Sequence, residues 1–223
     1  MPGAFSDPIK ALIFDLDGTL IDSKTDLVHS VNAMLCEIGR MELPAETIAG
    51  YVGHGAPQLI ASTLGLGSSE ADRKAALAVF LDHYGKHNLD ATQPYPGVEE
   101  GLAALSECPM AVLTNKPLKM TLQILEGLCL AKYFSAIYGG DSFDKKKPDP
   151  QGALSILKEL STQPQHAAMI GDSDVDIQTA RNAGMFAVAV TYGFGNYDRR
   201  SNPADLYVDR MTELATLLSL QQP

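Results

Sequence analysis

Four short apolar runs constrain this chain more than any other feature. They are Ala11-Leu12-Ile13-Phe14, Met110-Ala111-Val112-Leu113, Ala167-Ala168-Met169-Ile170 and Phe186-Ala187-Val188-Ala189-Val190. None alternates apolar with polar, so each predicts a strand buried on both faces, as in a parallel sheet. Helical stripes lie between them: Leu118, Leu122 and Leu125; Ala153, Ile156, Leu157 and Leu160; Ile177, Ala180 and Ala183. Strands alternating with helices give a parallel sheet covered on both sides.

The stretch from Asp22 to Thr92 breaks that rhythm. Leu27, Val31, Met34, Leu35 and Ile38 share a helical face after a Ser23 cap, and Pro44 is placed to open a second helix. Ala75, Ala78, Leu81 and Tyr84 suggest a third, and no convincing strand interrupts. Pro94-Tyr95-Pro96-Gly97 marks the return. The expected fold class is therefore α/β, with residues 1–21 and 92–223 as a parallel-sheet core and 22–91 as an inserted α-helical unit.

Composition narrows the function. Of 223 residues, 45% are hydrophobic, enough for a packed core. Asp and Glu number 27 against 17 Lys and Arg, a net charge of -10, and the pI is about 4.8. That balance argues against a nucleic-acid partner. It would also repel an anionic substrate, so an anion site needs a local cation or backbone N–H groups. The first eight residues carry no basic and apolar leader pattern, and no apolar run reaches membrane-span length. A cytoplasmic protein with no membrane partner is expected. Cys36, Cys108 and Cys129 have no metal-ligand spacing and are expected to be small buried hydrophobes in a reducing compartment.

Four polar signals follow strand ends, where open parallel sheets bind ligands. Asp15-Leu16-Asp17-Gly18-Thr19 offers two carboxylates that point the same way if the strand stays extended, able to supply a nucleophile, a metal ligand and a proton-transfer group. Thr114 and Asn115 offer a hydroxyl and an N–H for a phosphoryl oxygen. Lys145-Lys146-Lys147-Pro148-Asp149-Pro150 offers a stiffened cation for phosphate. Gly171-Asp172-Ser173-Asp174-Val175-Asp176 offers oxygen ligands for a hard cation, Mg2+ above all; it lacks the glutamate of a calcium loop, since Ala183 stands there.

Together these resemble the four motifs of the haloacid dehalogenase superfamily: Ile13-Phe14-Asp15-Leu16-Asp17-Gly18-Thr19-Leu20, Val112-Leu113-Thr114-Asn115, Lys147-Pro148-Asp149-Pro150 and Ile170-Gly171-Asp172-Ser173-Asp174-Val175-Asp176. The resemblance spans essentially the whole chain and implies a Rossmann-like core with a helical cap. It implies a Mg2+-dependent phosphatase in which Asp15 is the nucleophile and Asp17 the general acid and base. Asp15, the Asp17 backbone carbonyl and Asp172 would bind Mg2+; Asp176 and Ser173 would support them; Thr114, Asn115 and Lys147 would hold the phosphoryl oxygens. Asp174 departs from the basic or neutral residue that relatives often carry. Tyr51-Val52-Gly53-His54-Gly55-Ala56 and Val190-Thr191-Tyr192-Gly193-Phe194-Gly195 resemble loops of members acting on 2-phosphoglycolate, with His54 as a candidate contact to this small phosphorylated metabolite. Other phosphatases, pyrophosphatases and phosphosugar mutases share the motifs, and a non-catalytic phosphate-binding module is the reading from another class.

Overall fold

Each of the four apolar runs forms a strand. The structure, a computed structural model, describes residues 8–195 and 197–219. The N-terminal residues read above for a leader therefore fall, except Pro8, outside the described residues. In chain order the elements are β1 (Ala11–Phe14), β2 (Ile21–Asp22), α1 (Lys24–Glu37), α2 (Ala45–Ala49), α3 (Ala56–Leu64), α4 (Glu70–His87) and β3 (Gln93–Pro94). There follow α5 (Val98–Ala104), β4 (Met110–Leu113), α6 (Leu118–Gly127), β5 (Ala136–Tyr138), α7 (Gln151–Glu159), β6 (Ala167–Gly171), α8 (Asp174–Ala183), β7 (Phe186–Val190), β8 (Leu206–Val208) and α9 (Met211–Ser219).

Six strands make one sheet in the order β5-β4-β1-β6-β7-β8, every neighbouring pair parallel. Strand alternation divides the core. Leu12, Phe14, Val112, Ile170 and Val188 pack with α5, α6 and α9 on one face. Ala11, Ile13, Ala111, Met169 and Ala187 pack with α7 and α8 on the other. Both faces are dry, which is why the strands read as uninterrupted apolar runs.

The inserted helices have a core of their own. Leu27, Val31, Met34 and Leu35 of α1 meet Leu59 and Ile60 of α3 and Phe80 and Tyr84 of α4. The insertion leaves and returns at one point, where β2 and β3 pair antiparallel as Ile21↔Pro94 and Asp22↔Gln93. Buried Asp26 fastens it there: its carboxylate accepts from the Ala91 and Thr92 amides and, at 2.7 Å, from the Thr92 hydroxyl. Among the described residues no helix is long and apolar enough to cross a membrane.

Three expectations are corrected. In α4 the buried stripe is Ala76, Phe80 and Tyr84, whereas Ala75 and Ala78 are exposed; alanine fits either face, so the large side chains set the register. Cys36 and Cys129 are exposed and Cys108 is half-buried. Cys36 ends the solvent side of α1 beside Glu42, and Cys129 occupies a turn at φ 57. Ser23 precedes α1 but makes no capping bond; its hydroxyl is used at the site described next.

Candidate active site

The strand ends bring the acids together. Asp15 follows β1, and its amide still donates to the Ile170 carbonyl of β6 at 2.9 Å, so sheet pairing fixes the direction of its side chain. Asp172 follows β6 itself. Asp176 lies in the first turn of α8, where its carboxylate accepts from the Ser173 amide at 3.1 Å and the Ser173 hydroxyl at 2.6 Å. One carboxylate oxygen from each of Asp15, Asp172 and Asp176 lies within 4.8 Å of the others, and all three residues are buried. Gly18 turns the chain after Asp17 at φ +82. A Cβ at Gly18, Gly193 or Gly195 would collide with the Asp172 carboxylate, so backbone closes around that acid on three sides.

Two buried lysines face four acids. Lys147 Nζ lies 2.8 Å from Asp15 Oδ1 and 2.6 Å from Asp176 Oδ1. Asn115 braces it: the Lys147 amide donates to Asn115 Oδ1, and the Asn115 carboxamide donates to the carbonyls of Lys147 and Gly53. Lys116 Nζ donates to Asp17 Oδ1 at 2.8 Å and to the Tyr84 hydroxyl of α4 at 2.6 Å, and the Ser23 hydroxyl donates to the same Asp17 oxygen at 2.5 Å. Burial works against both ammonium groups, yet their carboxylate partners outweigh it and hold each above the ordinary lysine range.

The acids remain under-compensated. Burial pushes the Asp15 carboxyl up to about 6; Lys147 opposes this, while Asp176 and Asp17 add to it. Burial, then repulsion from Asp176 and Asp15, raises Asp172 well above the carboxylate range, and the Gly195 amide at 2.6 Å opposes only part. Were all four ionised, Asp15, Asp17, Asp172 and Asp176 against Lys116 and Lys147 would leave two negative charges, which one divalent cation neutralises. An all-oxygen donor set of this kind suits a hard cation.

The family model of haloacid dehalogenase-like hydrolases matches residues 12–190. The chain belongs to the haloacid dehalogenase-like hydrolase family. Its curated relatives in that family mark it as a phosphatase. It is 39% identical over 216 residues to a phosphoglycolate phosphatase of Chromobacterium violaceum, covering 94% of this chain and 96% of that one. It is 41% identical over 196 residues to a phosphoglycolate phosphatase of Nitrosospira multiformis, covering 85% and 86%. Its fold is similar to the crystal structure of a predicted phosphoglycolate phosphatase of Haemophilus somnus, with a TM-score of 0.89, 29% identity and coverage of 97% and 100%.

Within this hydrolase, Asp15, Asp17, Thr114, Asn115, Asp172 and Ser173 line one cavity between the sheet and the inserted helices. Lys147 and Asp176 stand directly behind its acids. His54 is not brought there: it is exposed, and its neighbours Gly53 and Gly55 line the cavity instead. Asp174 is turned away, accepting from Asn202 at 3.2 Å. Lys145 is exposed, 3.3 Å from Asp149. Sequence reasoning passed over Lys116, Tyr84 and the Gly195 amide. Only Lys116 had a local signal, its place directly after Thr114 and Asn115.

Proposed function

We propose that this chain is a Mg2+-dependent phosphomonoester hydrolase that works through an aspartyl-phosphate and acts on 2-phosphoglycolate. The observation that carries the reading is Asp15: a nearly buried carboxylate directly after β1, held by Lys147 and set beside Asp172 and Asp176 with an oxygen of each within 4.8 Å of the others. Asp15, Asp172 and the Asp17 backbone carbonyl would hold Mg2+. When bound, the ion neutralises charge on the phosphoryl oxygens. Asp176 already accepts three hydrogen bonds from Lys147 and Ser173, which suits a supporting place behind the ligands.

An Asp15 carboxylate oxygen attacks phosphorus, the phosphorus–alkoxide bond breaks, and the Asp17 carboxyl gives its proton to the departing oxygen. Asp17, now a carboxylate, then takes a proton from water as the water oxygen attacks phosphorus. The bond to Asp15 breaks and phosphate leaves. Thr114, the Asn115 N–H and Lys147 hold the phosphoryl oxygens throughout. Residues 22–91 act as the cap, hinged at the β2–β3 pair. The relatives' names favour glycolate as the leaving group. A cytoplasmic setting belongs to the same reading, supported by three free cysteines.

The test is phosphate release from 2-phosphoglycolate and from an aryl phosphate, with and without Mg2+, by wild type and Asp15→Asn. The reading expects Mg2+-dependent turnover, preference for phosphoglycolate, and a loss of four decades or more in the variant, about 5 kcal/mol of barrier. A variant within tenfold of wild type would remove Asp15 from its role.

A further inference from the structure

The cavity has walls of two kinds. The motif acids, Thr114 and Asn115 form its polar part. The remaining walls are largely apolar: Leu27, Val52, Leu59, Phe80, Met120 and Phe194. A leaving group that carries a carboxylate would have to place that charge against these walls, which is strongly unfavourable without a counter-charge. Among the lining residues Lys116 is the only cation.

Lys116 also stands at the right distance from the chemistry. Asp17 must touch the oxygen that leaves phosphorus if it is to protonate it, and Lys116 touches Asp17 at 2.8 Å. In a two-carbon leaving group the carboxyl carbon is separated from that oxygen by a single carbon. A group in contact with Asp17 therefore lies where the carboxylate falls. The ammonium has three N–H donors. Asp17 and Tyr84 take two, leaving one for a ligand.

We propose that Lys116 is a specificity-determining residue that binds a carboxylate on the leaving group of the phosphate ester, in a site completed by Tyr84 of the inserted helices. This rests on the phosphatase reading above and adds the recognition of the leaving group, which the sequence assigned to His54. Tyr84 reaches the ammonium from α4, so the carboxylate site is whole only while α4 sits against the core. Acid recognition and closure are thereby the same event. A purely structural Lys116, present only to hold Asp17, would serve acidic and neutral esters equally, and the two roles separate on that point.

The experiment compares kcat/KM, with Mg2+, for 2-phosphoglycolate and carbamoylmethyl phosphate, in which an amide replaces the carboxylate at equal size. Wild type is compared with Lys116→Met, Lys116→Gln and Lys116→Arg, each checked for a cooperative thermal transition. Comparing the preference between enzymes cancels the intrinsic reactivity of the two esters. Wild type is expected to favour the acid by about a hundredfold, in line with the loss on unpairing a buried charge. The Met and Gln variants slow both esters, because Asp17 loses a partner, and lose the preference; Arg keeps it. A wild type that hydrolyses both esters equally overturns the inference and leaves the phosphatase standing. So does a preference that survives in folded Met or Gln variants, or one that disappears in a folded Arg variant. A wild type that releases phosphate from no ester at all overturns the proposed function and this inference with it.

Discussion

Asp15→Asn is expected to stabilise the chelator-treated protein while it removes the activity. The Asp15 side chain is only 10% exposed, and burial among other acids pushes its carboxyl from 3.8 up to about 6. That value already includes the attraction of Lys147, so it measures a net penalty on the ionised form. The rise amounts to about 3 kcal/mol at ~1.4 kcal/mol per pH decade. The proton is favoured in the fold, so the penalty is absent below about pH 4, grows between pH 4 and 6, and is complete above 6. Asparagine keeps the shape and drops the charge. At pH 7.5 in excess chelator, the variant is expected to melt about 6–12 °C above wild type, taking ~2–4 °C per kcal/mol for a chain of this size. The gain should be about half as large at pH 5, where folded wild-type Asp15 is mostly protonated while the unfolded carboxyl is still ionised. Mg2+ should narrow or reverse it, because wild type gains more from the ion than the variant does. Calorimetric melts of the two proteins at both pH values, with chelator and with Mg2+, read all three effects. A variant no more stable than wild type in chelator at pH 7.5 would refute the electrostatic reasoning, and so would a gain of the same size at pH 5.

Lys147→Ala should lower kcat by several orders of magnitude in steady-state assays, because it strips the cation from Asp15 and Asp176, while exposed Lys145→Ala should stay near wild type. Turnover should vanish on exhaustive chelation and return with Mg2+, and Ca2+ should inhibit in competition, since its larger, more flexible coordination shell suits bidentate carboxylate binding. Gly18→Ala should abolish phosphate release and lower the melting temperature, because its φ is +82 and a Cβ there meets the Asp172 carboxylate.

The central strands and the motif acids were legible for one physical reason: a strand buried on both faces shows as an unbroken apolar run, and the polar residues directly after it are the ligand-facing loop. The edge strands were not. Ala136-Ile137-Tyr138 and Leu206-Tyr207-Val208 are three residues each and only partly buried, so no run or alternation rises above its surroundings. The two-residue pair of β2 with β3 is shorter than any sequence pattern. The buried stripe of α4 starts one position after Ala75, a shift the sequence hides because alanine marks no face. Lys116 could not be assigned from sequence because its partners, Asp17 and Tyr84, come from opposite sides of the cavity and are 99 and 32 residues away. His54 drew attention as the one imidazole in a glycine loop, but flanking glycines leave the side chain free to face solvent.

The β2–β3 pair also has a bearing on how the chain is assembled. β1 is made before both strands it pairs with, whose register partners begin at Met110 in β4 and Ala167 in β6. The apolar Ala-Leu-Ile-Phe segment thus waits unpaired until β4 emerges. The helices in between pack chiefly on one another and bury their own apolar surface before β4 is made, so they are the part of the nascent chain able to form early. Once they do, Asp22 and Gln93 are neighbours, and the tether between β1 and β4 shortens by some seventy residues. By the logarithmic cost of loop closure, that lowers the entropic barrier to the first strand pairing by about 1 kcal/mol.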